Sequence, residues 1–144
     1  MNIARITDTV FTCTEYEGGN VTCINTEKGA VLIDTPMRPR DIDHWQAQVM
    51  AANPRGVKYI IATHQHFDHI IGNHQLGGEV IMHADAAADM LIDGATLRED
   101  MVPLLPGLTA AEADFILNET LVMPDLTFEE TLTLNFDETV IELV

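Results

Sequence analysis

The segment Thr63-His64-Gln65-His66-Phe67-Asp68-His69 places three imidazoles and a carboxylate within six residues, directly after the apolar run 57–62. Imidazole suits zinc, iron and related metals, and a neighbouring carboxylate adds a harder oxygen donor. In extended backbone alternate side chains share a face, so His64 and His66 can close on one ion. Asp68 and His69 are adjacent and reach one point only if the chain turns there, which directs them to a second ion close by. A single histidine is usually a surface or hydrogen-bonded residue. Four donors at this spacing, after a strand, read instead as the start of one or two metal sites.

The elements around the cluster decide what it can reach. Residues 30–34 are apolar without alternation, as in a strand covered on both faces. Pro36 and Pro39 then break the chain, and residues 39–52 read as a helix whose Ile42, Trp45, Val49 and Ala52 fall on one stripe. Asn53-Pro54-Arg55-Gly56 ends it, and residues 57–62 form the next buried strand. Strand, helix, strand at this length implies a right-handed crossover and parallel pairing. The carboxyl ends of both strands then open on one edge, where ligands bind, and Asp34 is carried toward the cluster. Asp34 reads as the group that orients an imidazole or nearby backbone; the competing reading bonds it to the turn at Thr35-Pro36.

Upstream, residues 10–16 and 21–25 are rich in β-branched and aromatic residues, with the hairpin signal Gly18-Gly19 between them. Cys13 and Cys23 flank that turn. A disulfide needs the right register, and two cysteines without a signal peptide read as free thiols. Downstream, residues 70–76 predict a short helix, 79–83 a strand, and 84–93 a helix stopped at Gly94. His83, at the strand–helix junction, is a candidate for the cleft; His74 reads as helix packing and His44 as solvated. Residues 101–108 are apolar but broken by Pro103 and Pro106, a loop that packs on the core or covers a cleft. Thr109 and Glu112 have capping-box spacing, and residues 126–129, 131–136 and 139–144 read as strands.

At 144 residues, with 47% hydrophobic and 21% charged residues, the chain is one domain's worth and not disordered. No stretch is apolar for long enough to cross a bilayer, and the first residues show no secretory signal, so the expected location is cytoplasmic. The net charge is −16 and unevenly spread: residues 1–60 carry seven acids and six bases, residues 61–144 sixteen acids and one base, Arg98. Such a surface repels nucleic acid and anionic membranes, so neither is expected as a partner; a small-molecule substrate is.

H-x-H-x-D-H after a strand, complete here as His64, His66, Asp68 and His69, resembles the signature of metallo-β-lactamase-fold hydrolases. The resemblance implies an α/β (α+β) fold: half of an αββα sandwich, with a mixed sheet and helices on one face. Residues 1–144 would be a single domain, the amino-terminal part, with the carboxy-terminal half absent. A catalytic zinc takes three protein ligands, whereas this cluster offers two per ion, and residues 84–144 contain no histidine. The expectation is therefore a truncated chain, or a half-size protein completed by a homodimer, because a half-sandwich exposes one sheet face and the edge strand 139–144.

By the same resemblance, one or two Zn²⁺ ions would generate a hydroxide that attacks a lactone, thioester, β-lactam or other ester or amide carbonyl. Asp68, besides binding metal, would orient the water or shuttle a proton as the catalytic group. Fe and Mn are alternatives, although His66 stands where di-iron flavoprotein relatives carry Glu. Two other readings remain open: a non-catalytic metal-binding half-domain, and an iron-dependent sulfur dioxygenase of the same fold.

Overall fold

The computed structural model describes residues 1–144, apart from the side chains of residues 93–96. Its centre is a seven-stranded sheet in which chain order and spatial order coincide. Strands β1 (Ala4–Arg5), β2 (Val10–Cys13), β3 (Val21–Thr26) and β4 (Gly29–Ile33) form an antiparallel meander. From β4 onward the pairing is parallel, through β5 (Val57–Ile61), β6 (Glu79–His83) and β7 (Leu126–Phe128). The sheet is therefore mixed, and its parallel half carries the cluster.

Each parallel step needs a crossover, and the helices supply them. Helix α1 (Pro39–Ala52) joins β4 to β5, with proline in its first turn where no N–H is required. Two four-residue helices, α2 (Phe67–Ile70) and α3 (Asn73–Leu76), join β5 to β6. Helix α4 (Ala84–Met101), a 3-10 turn at Val102–Leu104 and α5 (Ala110–Asn118) lead to β7. The single helix expected over 70–76 is observed as two short helices; at Gly72, between them, a Cβ would meet the Pro36 carbonyl oxygen at 2.9 Å. The helix expected over 84–93, with a stop at Gly94, runs on instead to Met101.

One sheet face buries Leu32, Ile60 and Val80 against Ile42, Trp45 and Val49 of α1, and Ala62 and Met82 against Ile70, Ala87 and Met90. Full burial of each large apolar side chain contributes about 1.5–3 kcal/mol. Trp45 is completely buried, edge-on to Phe11 at 5.3 Å between ring centroids. The opposite face, expected to be bare, is not. A hairpin of β8 (Leu132–Asn135) and β9 (Val140–Leu143) lays Leu134, Phe136 and Ile141 over Val31, Ile61 and Ile81. Helices thus occupy one face and a hairpin the other, while β9 pairs only with β8 among the described residues.

Cys13 stands opposite Val21 and Cys23 opposite Phe11, so the two thiols are out of register for a disulfide, and both are free and buried. Burial pushes the Cys23 thiol up to about 12, far from the reactive thiolate range. Among the described residues no helix is long and apolar enough to cross a membrane.

Candidate metal centre

Parallel pairing of β4 with β5 puts Ile33 beside Ile61, so the residues that follow, Asp34 and Ala62-Thr63-His64, leave the sheet at one edge. Asp34 adopts φ 57°, the one positive value at a non-glycine position among the described residues. A left-handed aspartate costs free energy and persists only where its surroundings hold it. Here the backbone holds it: Asp34 N–H donates to Ile61 O at 3.0 Å, and Thr35 N–H to His69 O at 2.8 Å.

The side chain of Asp34, 4% exposed, explains the strain. Its Oδ1 accepts the Thr63 N–H at 2.8 Å, and its Oδ2 accepts both the Thr63 hydroxyl at 2.7 Å and His69 Nδ1–H at 2.8 Å. A carboxylate only accepts, so the proton on His69 must sit on Nδ1, leaving the Nε2 lone pair free. The Thr63 hydroxyl spends its proton on Asp34 and can therefore only accept from His64 Nδ1, 3.0 Å away. That fixes the second tautomer in the same sense. One buried carboxylate thus turns the Nε2 atoms of two imidazoles outward, one directly and one through Thr63, as the outer partners of metal-bound histidines do.

The rings lie close enough to share a centre. The His64 ring centroid is 4.6 Å from that of His66 and 4.2 Å from that of His69. His69 Nε2 stands 3.6 Å from Asp68 Oδ2, beyond hydrogen-bond reach but suited to two donors facing one cation. Electrostatics separate the two imidazoles. The hydrogen bond to Asp34 holds His69 above the ordinary histidine value, while burial, and then His69 and His66, push His64 below it. The donors fit zinc or a related metal in type. Among the described residues, however, no three His, Cys, Asp or Glu side chains are arranged to hold an ion unaided.

The glycines expected only to turn the β2–β3 hairpin also fit against the cluster. A Cβ on Gly19 would meet the His69 ring at 2.7 Å, and one on Gly18, at φ 103°, would meet Asp68 Cβ at 3.0 Å. Next to them, Glu17 pairs with the buried Arg38 guanidinium, which also donates to Pro106 O at 3.1 Å and Gly107 O at 3.2 Å. Glu112 lies 3.5 Å from the same guanidinium.

The other histidines divide clearly. His83 borders a groove of about 520 Å³ that Thr63 also lines. Both of its ring nitrogens are engaged within the chain, Nε2 with Glu129 O at 2.6 Å and Nδ1 accepting the Asp85 N–H at the start of α4. His44 is not simply solvated: its Nδ1 lies 2.6 Å from the Tyr16 hydroxyl, half-buried beside Trp45. His74 is exposed rather than packed, and pairs with Glu119 at 2.7 Å.

A carboxylate-oriented histidine cluster at the carboxyl edge of a parallel sheet is matched independently by sequence: residues 15–120 fit the Metallo-beta-lactamase superfamily. The chain belongs to that superfamily. A search of curated proteins by sequence finds no match. Solved structures of this fold superpose over nearly all of the chain. A metallo-beta-lactamase from Pontibacter korlensis aligns with 98% of it at 20% identity and TM-score 0.66. The stereoselective inverting sec-alkylsulfatase of a Pseudomonas species aligns with 98% at 19% identity and TM-score 0.71. A variant metallo-beta-lactamase from Cronobacter sakazakii aligns with 97% at 19% identity and TM-score 0.67. The alignments span 58%, 26% and 52% of those proteins, so the superfamily chain described here corresponds to part of each.

Proposed function

We propose that residues 1–144 carry the amino-terminal metal-binding half of a hydrolase centre. The observation that carries this reading is Asp34, which directs the free Nε2 atoms of both His64 and His69 toward the space shared with His66 and Asp68. His64 and His66 would hold a first ion and Asp68 and His69 a second, with Zn²⁺ preferred over Fe or Mn for an imidazole-rich set. When bound, such ions supply Lewis acidity and a water that ionises near neutral pH. Asp34 keeps the Nδ1 protons in place, and the Asp68 carboxylate orients the attacking water and accepts its proton. The substrate is a small molecule with a hydrolysable acyl bond, a lactone, thioester, β-lactam or other ester or amide.

With two donors per ion, each centre takes its third ligand from outside residues 1–144, either from further chain or from a second copy. The absence of any three-donor group among the described residues favours, as a second reading, a domain that binds metal weakly and does not turn over on its own. Zinc titration against a chromophoric chelator tests the proposal. Binding is expected in the wild-type chain, with the first ion lost in His64→Ala; unchanged stoichiometry in that variant rules the site out. Hydrolysis of generic ester, lactone and β-lactam substrates by the isolated chain is expected to be slight, and robust turnover by a strict monomer contradicts the ligand count.

A further inference from the structure

A second cavity, of about 200 Å³, opens directly beside the donors. His66 and Asp68 line it together with Met37, Phe67, Leu97, Met101 and Leu105. Apart from those two donors, no polar side chain among the described residues lines it. Away from His66 and Asp68, a charged or strongly polar group entering it would lose hydration and meet only apolar side chains among the described residues. The net charge of −15 over residues 61–144 adds repulsion for anions. Two thioethers among the walls give a surface that adapts to the shape of an apolar guest.

The walls do not depend on each other alone. Gly18 borders the cavity, and its neighbour Glu17 pairs with Arg38; Leu105 borders it too, and the next two carbonyls, of Pro106 and Gly107, accept from the same guanidinium. Arg38 is itself 4% exposed and bridges Glu17 to a segment 68 positions downstream of the arginine, so the cavity is framed before any guest arrives.

We infer that this cavity receives an alkyl arm of the substrate, with the reacting bond placed at Asp68. At roughly 30 Å³ for each water-sized group, its volume suits about six carbons. The substrate class is thus narrowed, within the proposed function on which this placement rests, to neutral esters, thioesters or lactones bearing a medium-length alkyl chain.

The cavity can be tested apart from the metal. In zinc-free protein carrying methyl-¹³C methionine, hexan-1-ol is expected to shift the Met37 and Met101 resonances with an affinity at least about tenfold above that of ethanol, from the added methylenes. Met50 and Met123, 45% and 42% exposed at other places, should not move. The same response is expected in His64→Ala, and it should vanish in Leu105→Asp but survive in Leu105→Met. No shift at Met37 and Met101, equal shifts at Met50 and Met123, or equal affinity for both alcohols overturns the cavity assignment. With zinc bound, hexanohydroxamate should bind at least about tenfold more tightly than acetohydroxamate, its head on the metal and its chain in the cavity. Equal affinities overturn the placement of the reacting bond. Lost zinc binding with an intact alcohol response would refute the metal reading alone, and the reverse pattern would refute the alkyl site alone.

Discussion

Asp34 and Arg38 lie four positions apart after the same strand, each 4% exposed and of opposite charge, yet each is buried for a different end. Asp34 receives three hydrogen bonds, all from Thr63 and His69, and converts its charge into the orientation of two imidazoles. Arg38 spends its charge on Glu17, Glu112 and two loop carbonyls, and its Nε finds no partner among the described residues. One buried charge is saturated and aimed at the donors; the other is under-satisfied and holds the surrounding walls. Desolvation is costly for both, so each is retained for what its hydrogen bonds position. The difference teaches that ligand geometry and pocket shape are set by separable side chains in this fold.

Separate substitutions should expose that division. Arg38→Ala removes the cation from two carboxylates and leaves a cavity; the expected stability loss in urea denaturation is about 3 kcal/mol, with zinc affinity changed by less than about threefold. Asp34→Asn cannot accept all three bonds. It should lower zinc affinity by about 10–100-fold, with a stability loss of about 1.5–3 kcal/mol. If Arg38→Ala weakens zinc as much as Asp34→Asn does, the two roles are not separable.

Gly19→Ala probes the contact between hairpin and cluster. Its Cβ forces the His69 ring aside, and a displaced rotamer costs about 1 kcal/mol, read as roughly fivefold weaker zinc binding. Unaltered affinity would show that the hairpin merely passes nearby.

The effect most remote from the cluster lies at the start of α5, where Thr109 and Glu112 form a capping box. Thr109→Ala should cost about 1 kcal/mol. The Thr109 backbone N–H, and then its hydroxyl, hold the Glu112 carboxyl below its ordinary value. A lowered carboxyl contributes fully above its unfolded-state pKa and loses that contribution as pH falls through the folded value. The stability gap between wild type and Thr109→Ala, followed by denaturation at successive pH values, should therefore narrow on acidification. A gap that widens would assign the cap to another group.

Much of this architecture was legible in local pattern. The stripe Ile42, Trp45, Val49 gave α1 with its bounds, Thr109 and Glu112 gave the start of α5, and parallel pairing alone brought Asp34 to the cluster. What stayed hidden depends on distance in sequence. Thr63 reads as an ordinary strand-end residue until Asp34 arrives from 29 positions away. His44 looks solvated on the helix until Tyr16, 28 positions upstream, covers it. The glycine hairpin signals a turn, but nothing in Gly18-Gly19 announces that His69 and Asp68 press against it. The β8–β9 hairpin was visible as two strands, whereas its docking over Val31, Ile61 and Ile81 is a tertiary choice that pattern does not encode. Arg38 carried no signal, since a lone arginine between two prolines reads as surface.

The orientation set by Asp34 is tested most directly by anomalous scattering at the zinc edge from crystals of the zinc-loaded protein. Density is expected about 2.0–2.1 Å from Nε2 of His64 and from Nε2 of His69, with both Nδ1 atoms still on Thr63 and Asp34. Zinc on either Nδ1 atom, or peaks only at places remote from these rings, would contradict it.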